Sequence, residues 1–97
     1  MIRHVVLFRW KPEATEEQKA RVATELSKLP LTVPSIRSFA LGTDAGINQG
    51  NADFAVTADF DDEAGYLAYR DDPTHREVIR QHITPITAER TAIQFSY

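Results

Sequence analysis

The chain has no cysteine among its 97 residues. This absence excludes disulfides, thiolate nucleophiles and zinc sites built on cysteine, so a metal site would have to use the three histidines and carboxylates. Basic residues are outnumbered, at 11 lysines and arginines against 14 acids, and the net charge of -3 excludes the basic footprint of a nucleic-acid-binding domain. No apolar run approaches the ~18 residues that a membrane span needs.

The amino-terminal residues also lack the features of a secretory signal. They form a short apolar run that ends at Arg9, without a long hydrophobic region or an A-x-A cleavage site. We therefore expect a cytoplasmic protein with no membrane association. A composition of 42% hydrophobic and 26% charged residues is typical of a folded globular protein, and the length predicts a single domain over residues 1–97.

The first stretch, Ile2 to Trp10, is rich in β-branched and aromatic residues and predicts a strand. Alternation places His4 and Val6 on one face and places Val5 and Leu7 on the other. Both faces carry apolar residues in the middle of the strand. This pattern indicates a strand that is covered on both sides.

Further helix and strand signals follow in an order typical of a ferredoxin-like fold. Thr15 and Gln18 form a capping box that predicts a helix, and Pro30 predicts its end near Leu29. An Asp-Pro pair at 72–73 predicts the start of another helix. The order β-α-β-β-α-α-β predicts an α+β ferredoxin-like domain with a four-stranded antiparallel sheet and a second helix broken in two. The predicted strands are Ile2–Trp10, Ser35–Thr43, Asp53–Phe60 and Arg90–Tyr97.

A ferredoxin-like sheet carries its helices on one face only. Val5 and Leu7 then lie on a face that no helix of the same chain covers. The simplest cover is a second copy of the sheet related by a two-fold axis. We therefore expect a homodimer that pairs through its sheet faces as a dimeric α/β barrel.

Three segments of the chain carry a resemblance to a known family: RHVVLFRWKPEATEEQ, ADFAVTADFDDEAGYLAYRDDPTH and IQFSY. Together they resemble the stress-responsive dimeric α/β-barrel family over essentially the whole chain. The most specific elements are His4 within the first strand and the segment Tyr69-x-x-x-Pro73-x-His75. The resemblance implies a homodimeric barrel, in agreement with the argument from the uncovered face.

The resemblance also implies roles for three side chains. A plant polyketide cyclase of the family uses a strand-one histidine, a tyrosine and a helix histidine around an internal pocket, and these roles match His4, Tyr69 and His75. Asp72 departs from the family pattern, because many members have a histidine before the proline. The wider superfamily includes cofactor-free monooxygenases, haem-degrading enzymes and lactone isomerases, so the fold sets no single activity.

Each of these three side chains also has a purely structural interpretation. His75 lies near a predicted helix N-terminus, where the helix dipole lowers the pKa of an imidazole and suits it to act as a general base, but it could equally be an inert core histidine or order the turn before it. His4 needs a hydrogen-bond partner or a cavity on its apolar face. The Tyr69 phenol could stabilise an enolate or carbonyl oxygen, or simply form the edge of the core.

The last predicted helix presents His75, Val78, Ile79 and His82 at a spacing that places them on one face. A seven-residue separation puts His82 about 10 Å along the axis from His75, so we predict neither a three-histidine metal site nor a cofactor. We expect a small-molecule pocket between sheet and helices. Its expected lining is His4, Val6, Phe8, Tyr69, His75, Val78 and Ile79.

Two classes of function remain open on these residues. The first is cofactor-free general-base chemistry on a carbonyl-rich, mostly apolar substrate, such as an aldol cyclisation, an isomerisation or a lyase step. The second is a non-catalytic stress-related dimer that binds a ligand or serves a structural role. The superfamily adds a further alternative, a cofactor-free or haem-linked monooxygenase.

Overall fold

The computed structural model describes residues 1–97 as four strands and four helices. A π-helical turn over Ile79–Ile83 and a 3-10 turn over Thr84–Ile86 join the last helix to the last strand. The elements in chain order are β1 (Ile2–Trp10), α1 (Glu16–Leu26), α2 (Leu29–Thr32), β2 (Ser38–Thr43), β3 (Phe54–Phe60), α3 (Glu63–Asp71), α4 (Pro73–Val78) and β4 (Thr87–Ser96).

The strands form one antiparallel sheet in the order β2-β3-β1-β4. β1 is central, and its Val6 pairs with Val56 in β3 and with Ala92 in β4. This topology confirms the predicted ferredoxin-like α+β fold. The N- and C-terminal strands are therefore neighbours, and residues about 90 positions apart in the chain meet across one ladder.

The core lies between one face of the sheet and the helices. The helix-facing side chains of β1 and β3 alternate with outward-facing ones, and Phe60 and Val56 are almost completely buried. The first helix contributes Val22 and Leu26, which are four residues apart and share a face. Burial of a side chain of this size contributes about 1.5–3 kcal/mol.

The boundaries of several elements differ from the sequence prediction. The first helix ends at Leu26 instead of near Leu29, and the Ser27 hydroxyl donates a hydrogen bond to the Ala23 carbonyl at this end. Pro30 lies in the first turn of the short helix α2, where no helical partner is needed for its missing N–H. The second strand begins at Ser38, three positions later than predicted.

The π-helical turn changes which residues of the last helical segment face the sheet. A wider turn shifts the residues that follow it around the axis relative to an α-helix. Ile83 is buried in the core, whereas His82 faces a shallow groove next to α1 and lies away from His75. The prediction that His75 and His82 share one face was therefore wrong. The π-helical turn and the 3-10 turn lead directly into the last strand, which starts at Thr87 instead of Arg90.

The face of the sheet that points away from the helices is open and apolar. Leu7 is 39% exposed, Ile93 58% and Phe95 41%. Near one edge of this face, Arg3 makes two hydrogen bonds to the Asp59 carboxylate, at 2.8 Å and 3.2 Å. Their effect is to hold the pKa of Asp59 down to about 2. In the whole fold, no helix has the length and apolar character that crossing a membrane requires.

Candidate functional site

A cavity of about 290 Å³ lies between the helix-facing side of the sheet and the helices. Its lining residues come from the sheet, from α1, α3 and α4, and from the two turns before β4. Such a volume is at the lower end of the range for small-molecule sites. Of the predicted lining residues, the structure brings together His4, Val6, Phe8, Tyr69, His75 and Ile79.

Val78 is the predicted lining residue that the cavity does not include. Its side chain is buried in the core cluster instead. The α-helix ends at this residue, and the π-helical turn then carries Ile79 and Ile83 to the cavity wall. Regular helical spacing therefore predicted Val78 as a lining residue together with Ile79, whereas the structure places Ile83 there.

His4 is buried at the sheet side of the cavity. Its Nδ1 atom lies 2.9 Å from the Gln94 side-chain nitrogen, and its ring contacts Tyr66 and Tyr69 with centroid separations of 5.1 Å and 5.9 Å. Desolvation by burial, followed by the positive charge of Arg90, lowers the His4 pKa to about 4. His4 is therefore uncharged at neutral pH.

His75 is buried on the helix side of the cavity and stacks on Tyr69. The two ring centroids are 4.0 Å apart with an interplanar angle of 28°. The junction between α3 and α4 follows from a local signal, because the Asp72 side chain caps α4 by accepting a hydrogen bond from the His75 backbone N–H at 3.0 Å. The cap fixes the first turn of the helix and with it the position of the His75 ring.

Burial is the main electrostatic influence on His75, and it lowers the pKa of the imidazole. The backbone carbonyls of Tyr69 and Arg70 and the charge of Asp72 oppose this effect only in part. The Nδ1 atom is buried and has no hydrogen-bond partner. A buried imidazole that is neutral at pH 7 retains a lone pair that can accept a proton.

Tyr69 lies between the two histidines. It is buried, and desolvation raises the pKa of its phenol. The hydroxyl is therefore protonated at neutral pH and can donate a hydrogen bond. His4, Tyr69 and His75 thus form one aromatic cluster of three side chains that are uncharged at neutral pH and capable of hydrogen bonding.

Sequence reasoning missed six polar side chains at this site, including those of Thr84 and Thr87 near the start of β4. Tyr66, Arg70 and Arg90 line the cavity, and Gln94 holds His4. Tyr66 lies on α3 one helical turn before Tyr69, so the helical spacing could have predicted its position. Arg90 and Gln94 depend on the register between β1 and β4, in which Arg90 is opposite Phe8 and Gln94 is opposite His4.

The acidic residues of the chain are not part of this cavity, and its lining contains no aspartate or glutamate. No group of three or more histidine, aspartate or glutamate side chains in the protein is placed to hold a metal ion. The chemistry that the lining offers is proton transfer and hydrogen bonding by imidazole, phenol and guanidinium groups.

The sheet order and the cavity between sheet and helices define a ferredoxin-like α+β protein with a small pocket. The chain matches the family model described as the stress responsive A/B barrel domain over residues 2–97. It belongs to this family. No curated protein sequence matches the chain.

Solved structures extend this comparison. A dimeric ferredoxin-like protein from Thermobifida fusca is 47% identical, with a TM-score of 0.91, and the alignment covers 99% of this chain and 90% of that one. A hydroxynitrile lyase from Passiflora edulis is 19% identical, with a TM-score of 0.84 and coverage of 97% and 90%. A protein described as an antibiotic biosynthesis monooxygenase is 14% identical, with a TM-score of 0.79 and coverage of 100% and 98%. The latter two share the fold.

Proposed function

We propose that the cavity is a catalytic site in which His75 removes a proton from a carbon next to a carbonyl group of a small, mostly apolar substrate. The observation that carries this proposal is the stacked pair of Tyr69 and His75, both buried and uncharged at neutral pH, with His4 on the opposite wall. The reaction would need no cofactor, because these side chains supply the base and the hydrogen-bond donors. It is a cyclisation by aldol addition, an isomerisation or a lyase step.

In this mechanism His75 is the base. Its lowered pKa keeps the imidazole deprotonated at neutral pH, so that a lone pair is available before the substrate arrives. We assign the imidazole proton to Nδ1, which is buried without a hydrogen-bond partner, and Nε2 accepts the substrate proton. General-base catalysis of this kind contributes typically 10²–10⁴-fold to a rate.

Tyr69 and His4 stabilise the oxygen that becomes negative. When the C–H bond breaks, its electron pair forms an enolate, and the Tyr69 hydroxyl donates to the enolate oxygen. The Gln94 amide donates to Nδ1 of His4, which places the His4 proton on Nε2 as a second donor. Uncharged donors suit this role, since they are already in place before the charge develops.

The following step determines the product. In an aldol closure, the enolate carbon attacks a second carbonyl carbon of the same substrate, and the new alkoxide takes back the proton that His75 holds. In an isomerisation, the proton returns to a different carbon. A lyase step is the reverse of the aldol addition: His75 accepts the proton of a hydroxyl group, the C–C bond breaks to give a carbonyl and an enolate, and the enolate carbon then takes the proton from His75. All three routes leave the enzyme in its starting protonation state.

Deuterium exchange tests this proposal without knowledge of the natural substrate. Phenylacetone in D₂O, incubated with the protein, should exchange its benzylic protons faster than in buffer. His75→Gln should reduce the protein-dependent rate by about 10²-fold or more. His82→Gln is the matched control, because His82 is outside the cavity, and it should keep the wild-type rate. Equal exchange rates in wild type and His75→Gln would contradict the proposed role.

The exchange experiment also distinguishes catalysis from the second candidate function, which is small-molecule binding without a reaction. The mainly apolar lining favours small-molecule binding whether or not a reaction follows. If His75→Gln binds phenylacetone as tightly as wild type does, and neither protein accelerates exchange, the protein is a binding module.

We also propose that the active form is a homodimer that pairs through the open sheet faces. The exposed apolar side chains Leu7, Ile93 and Phe95 support this arrangement, because a contiguous apolar surface of this kind is typical of an interface. The relative from Thermobifida fusca is described as dimeric, and this agrees with the proposal. The cavity is on the other face of the sheet, so that each protomer keeps its own site.

A further inference from the structure

Two arginines are the only charged side chains among the cavity lining residues. The guanidinium of Arg70 is already paired, with its Nε and Nη2 atoms at 2.9 Å and 3.1 Å from the Asp71 carboxylate oxygens. Arg90 makes no ion pair and no side-chain hydrogen bond in the protein. The cavity therefore carries one positive charge with no partner.

Arg90 is on the helix-facing side of the sheet. It is opposite Phe8 in the ladder between β1 and β4, on the same face of β4 as Gln94. Its positive charge contributes to lowering the pKa of both His4 and His75. Arg90 is therefore electrostatically coupled to the aromatic cluster as well as to whatever occupies the cavity.

We propose that the ligand of this cavity carries a carboxylate group that pairs with Arg90 while its apolar body occupies the space beside Tyr69 and His75. The identity of the cavity as the reaction site rests on the proposed function, but the binding claim requires no reaction. The substrate class is then a small keto acid with an aryl or alkyl body.

The geometry favours a carboxylate over other anions. A guanidinium presents two parallel N–H donors that match the two oxygens of a carboxylate. A phosphate ester carries up to two negative charges and would call for a second free cation, yet Arg70 is held by Asp71. The cavity of about 290 Å³ also limits the size of the ligand. The absence of aspartate and glutamate from the lining removes the repulsion that would otherwise oppose an anion.

A pair of isosteric probes tests this inference. 3-Phenylpropanoate and 3-phenylpropanamide have the same shape and differ in charge. Binding is followed through the ring signals of His4 and His75 by NMR at about pH 8, where both rings are neutral because burial lowers their pKa values. We expect wild type to bind the carboxylate at least about tenfold more tightly than the amide, as a charge-assisted hydrogen bond predicts.

Three variants assign this preference to a residue. Arg90→Gln should bind the two probes equally, and Arg90→Lys should retain part of the preference because it keeps the charge without the planar fork. Arg80→Gln is the control, because Arg80 pairs with Glu77 and does not line the cavity, and it should keep the full preference. The inference is overturned if the amide binds as tightly as the carboxylate, if Arg90→Gln keeps the preference, or if neither probe binds wild type at millimolar concentration.

The result is independent of the base mechanism. Loss of the carboxylate preference in Arg90→Gln, together with unchanged deuterium exchange in His75→Gln, would support the ligand class and refute the base. Loss of exchange in His75→Gln, together with equal binding of the two probes by wild type, would support the base and refute the ligand class.

Discussion

At the scale of single residues, His4 shows how burial sets the chemistry of the site. It is the only polar side chain among the apolar residues on its face of β1, and it is 4% exposed. Taking an imidazole out of water disfavours its charged form, and the nearby Arg90 adds to the effect. The pKa of about 4 means that the ring remains neutral over the range in which most enzymes work.

This pKa makes folding stability depend on pH. In the unfolded chain His4 titrates near 6.5, so that between pH 6.5 and 4 the unfolded state binds a proton that the folded state does not. The folding stability associated with a neutral His4 is fully present above pH 6.5 and is lost as the pH falls toward 4. We expect His4→Gln to lose about 2 kcal/mol less stability than wild type between pH 7 and pH 5. Urea denaturation of both proteins at the two pH values measures the difference, and parallel losses would contradict it.

The sequence supported only part of the site at the residue scale. His4, Tyr69 and His75 were identified by resemblance to a family, and the structure brings them into one cavity. Arg90 and Gln94 could not be placed in the same way. Their positions follow from the pairing of β4 with β1, a register between segments more than 80 positions apart that no local pattern encodes.

At the scale of elements, the short helix α4 depends on its cap. The Asp72 carboxylate accepts a hydrogen bond from the backbone N–H of His75, and the helix has only six residues. A helix this short is not stable by itself and needs its cap and its packing. The cap therefore has two consequences, one for stability and one for the position of the His75 ring.

Two N-cap variants separate these consequences. Asp72→Ala should destabilise the fold by about 1 kcal/mol through loss of the cap and should change the NMR signals of the His75 ring. Asp62→Ala removes the comparable cap of α3, where the carboxylate accepts from the Gly65 N–H at 2.9 Å. It should cost a similar amount in denaturant and leave the His75 signals in place. If both variants shifted the His75 signals equally, the cap would have no specific positioning role.

Element prediction succeeded where local signals dominate and failed where backbone geometry departs from the regular helix. The capping box of Thr15 and Gln18 and the Asp-Pro start at 72–73 both occur as expected. The π-helical turn over Ile79–Ile83 has no such signal, and it moved His82 away from the face that its spacing predicted. Val78 was assigned to the cavity for the same reason.

At the scale of the whole molecule, the sheet has one covered and one open face. The alternation in β1 predicted this division, and the structure places Val5 opposite Ile93 on the open side. The Arg3–Asp59 pair on that side satisfies its own charges, so that it does not oppose contact with an apolar partner. A second copy of the same face would bury what is now exposed.

A charge on the open face should disrupt the proposed dimer. We expect wild type to have a native mass of twice 10.9 kDa. Ile93→Glu should shift the protein to monomer, because pairing would bury an unpaired carboxylate. Leu31→Glu is the matched control: Leu31 is 87% exposed on α2, away from the sheet, and its variant should remain dimeric. A dimeric Ile93→Glu protein would show that the copies pair through another surface.

The proposed function depends most on His75 acting as a base in its neutral form. The most direct test is the pH profile of phenylacetone deuterium exchange in wild type and in His75→Gln. We predict a rate that is constant near neutral pH, declines only below pH 6.5 because the His75 pKa is lowered, and is lost in the variant. A variant with the wild-type profile, or a wild-type rate that already declines above pH 6.5, would contradict the proposed function.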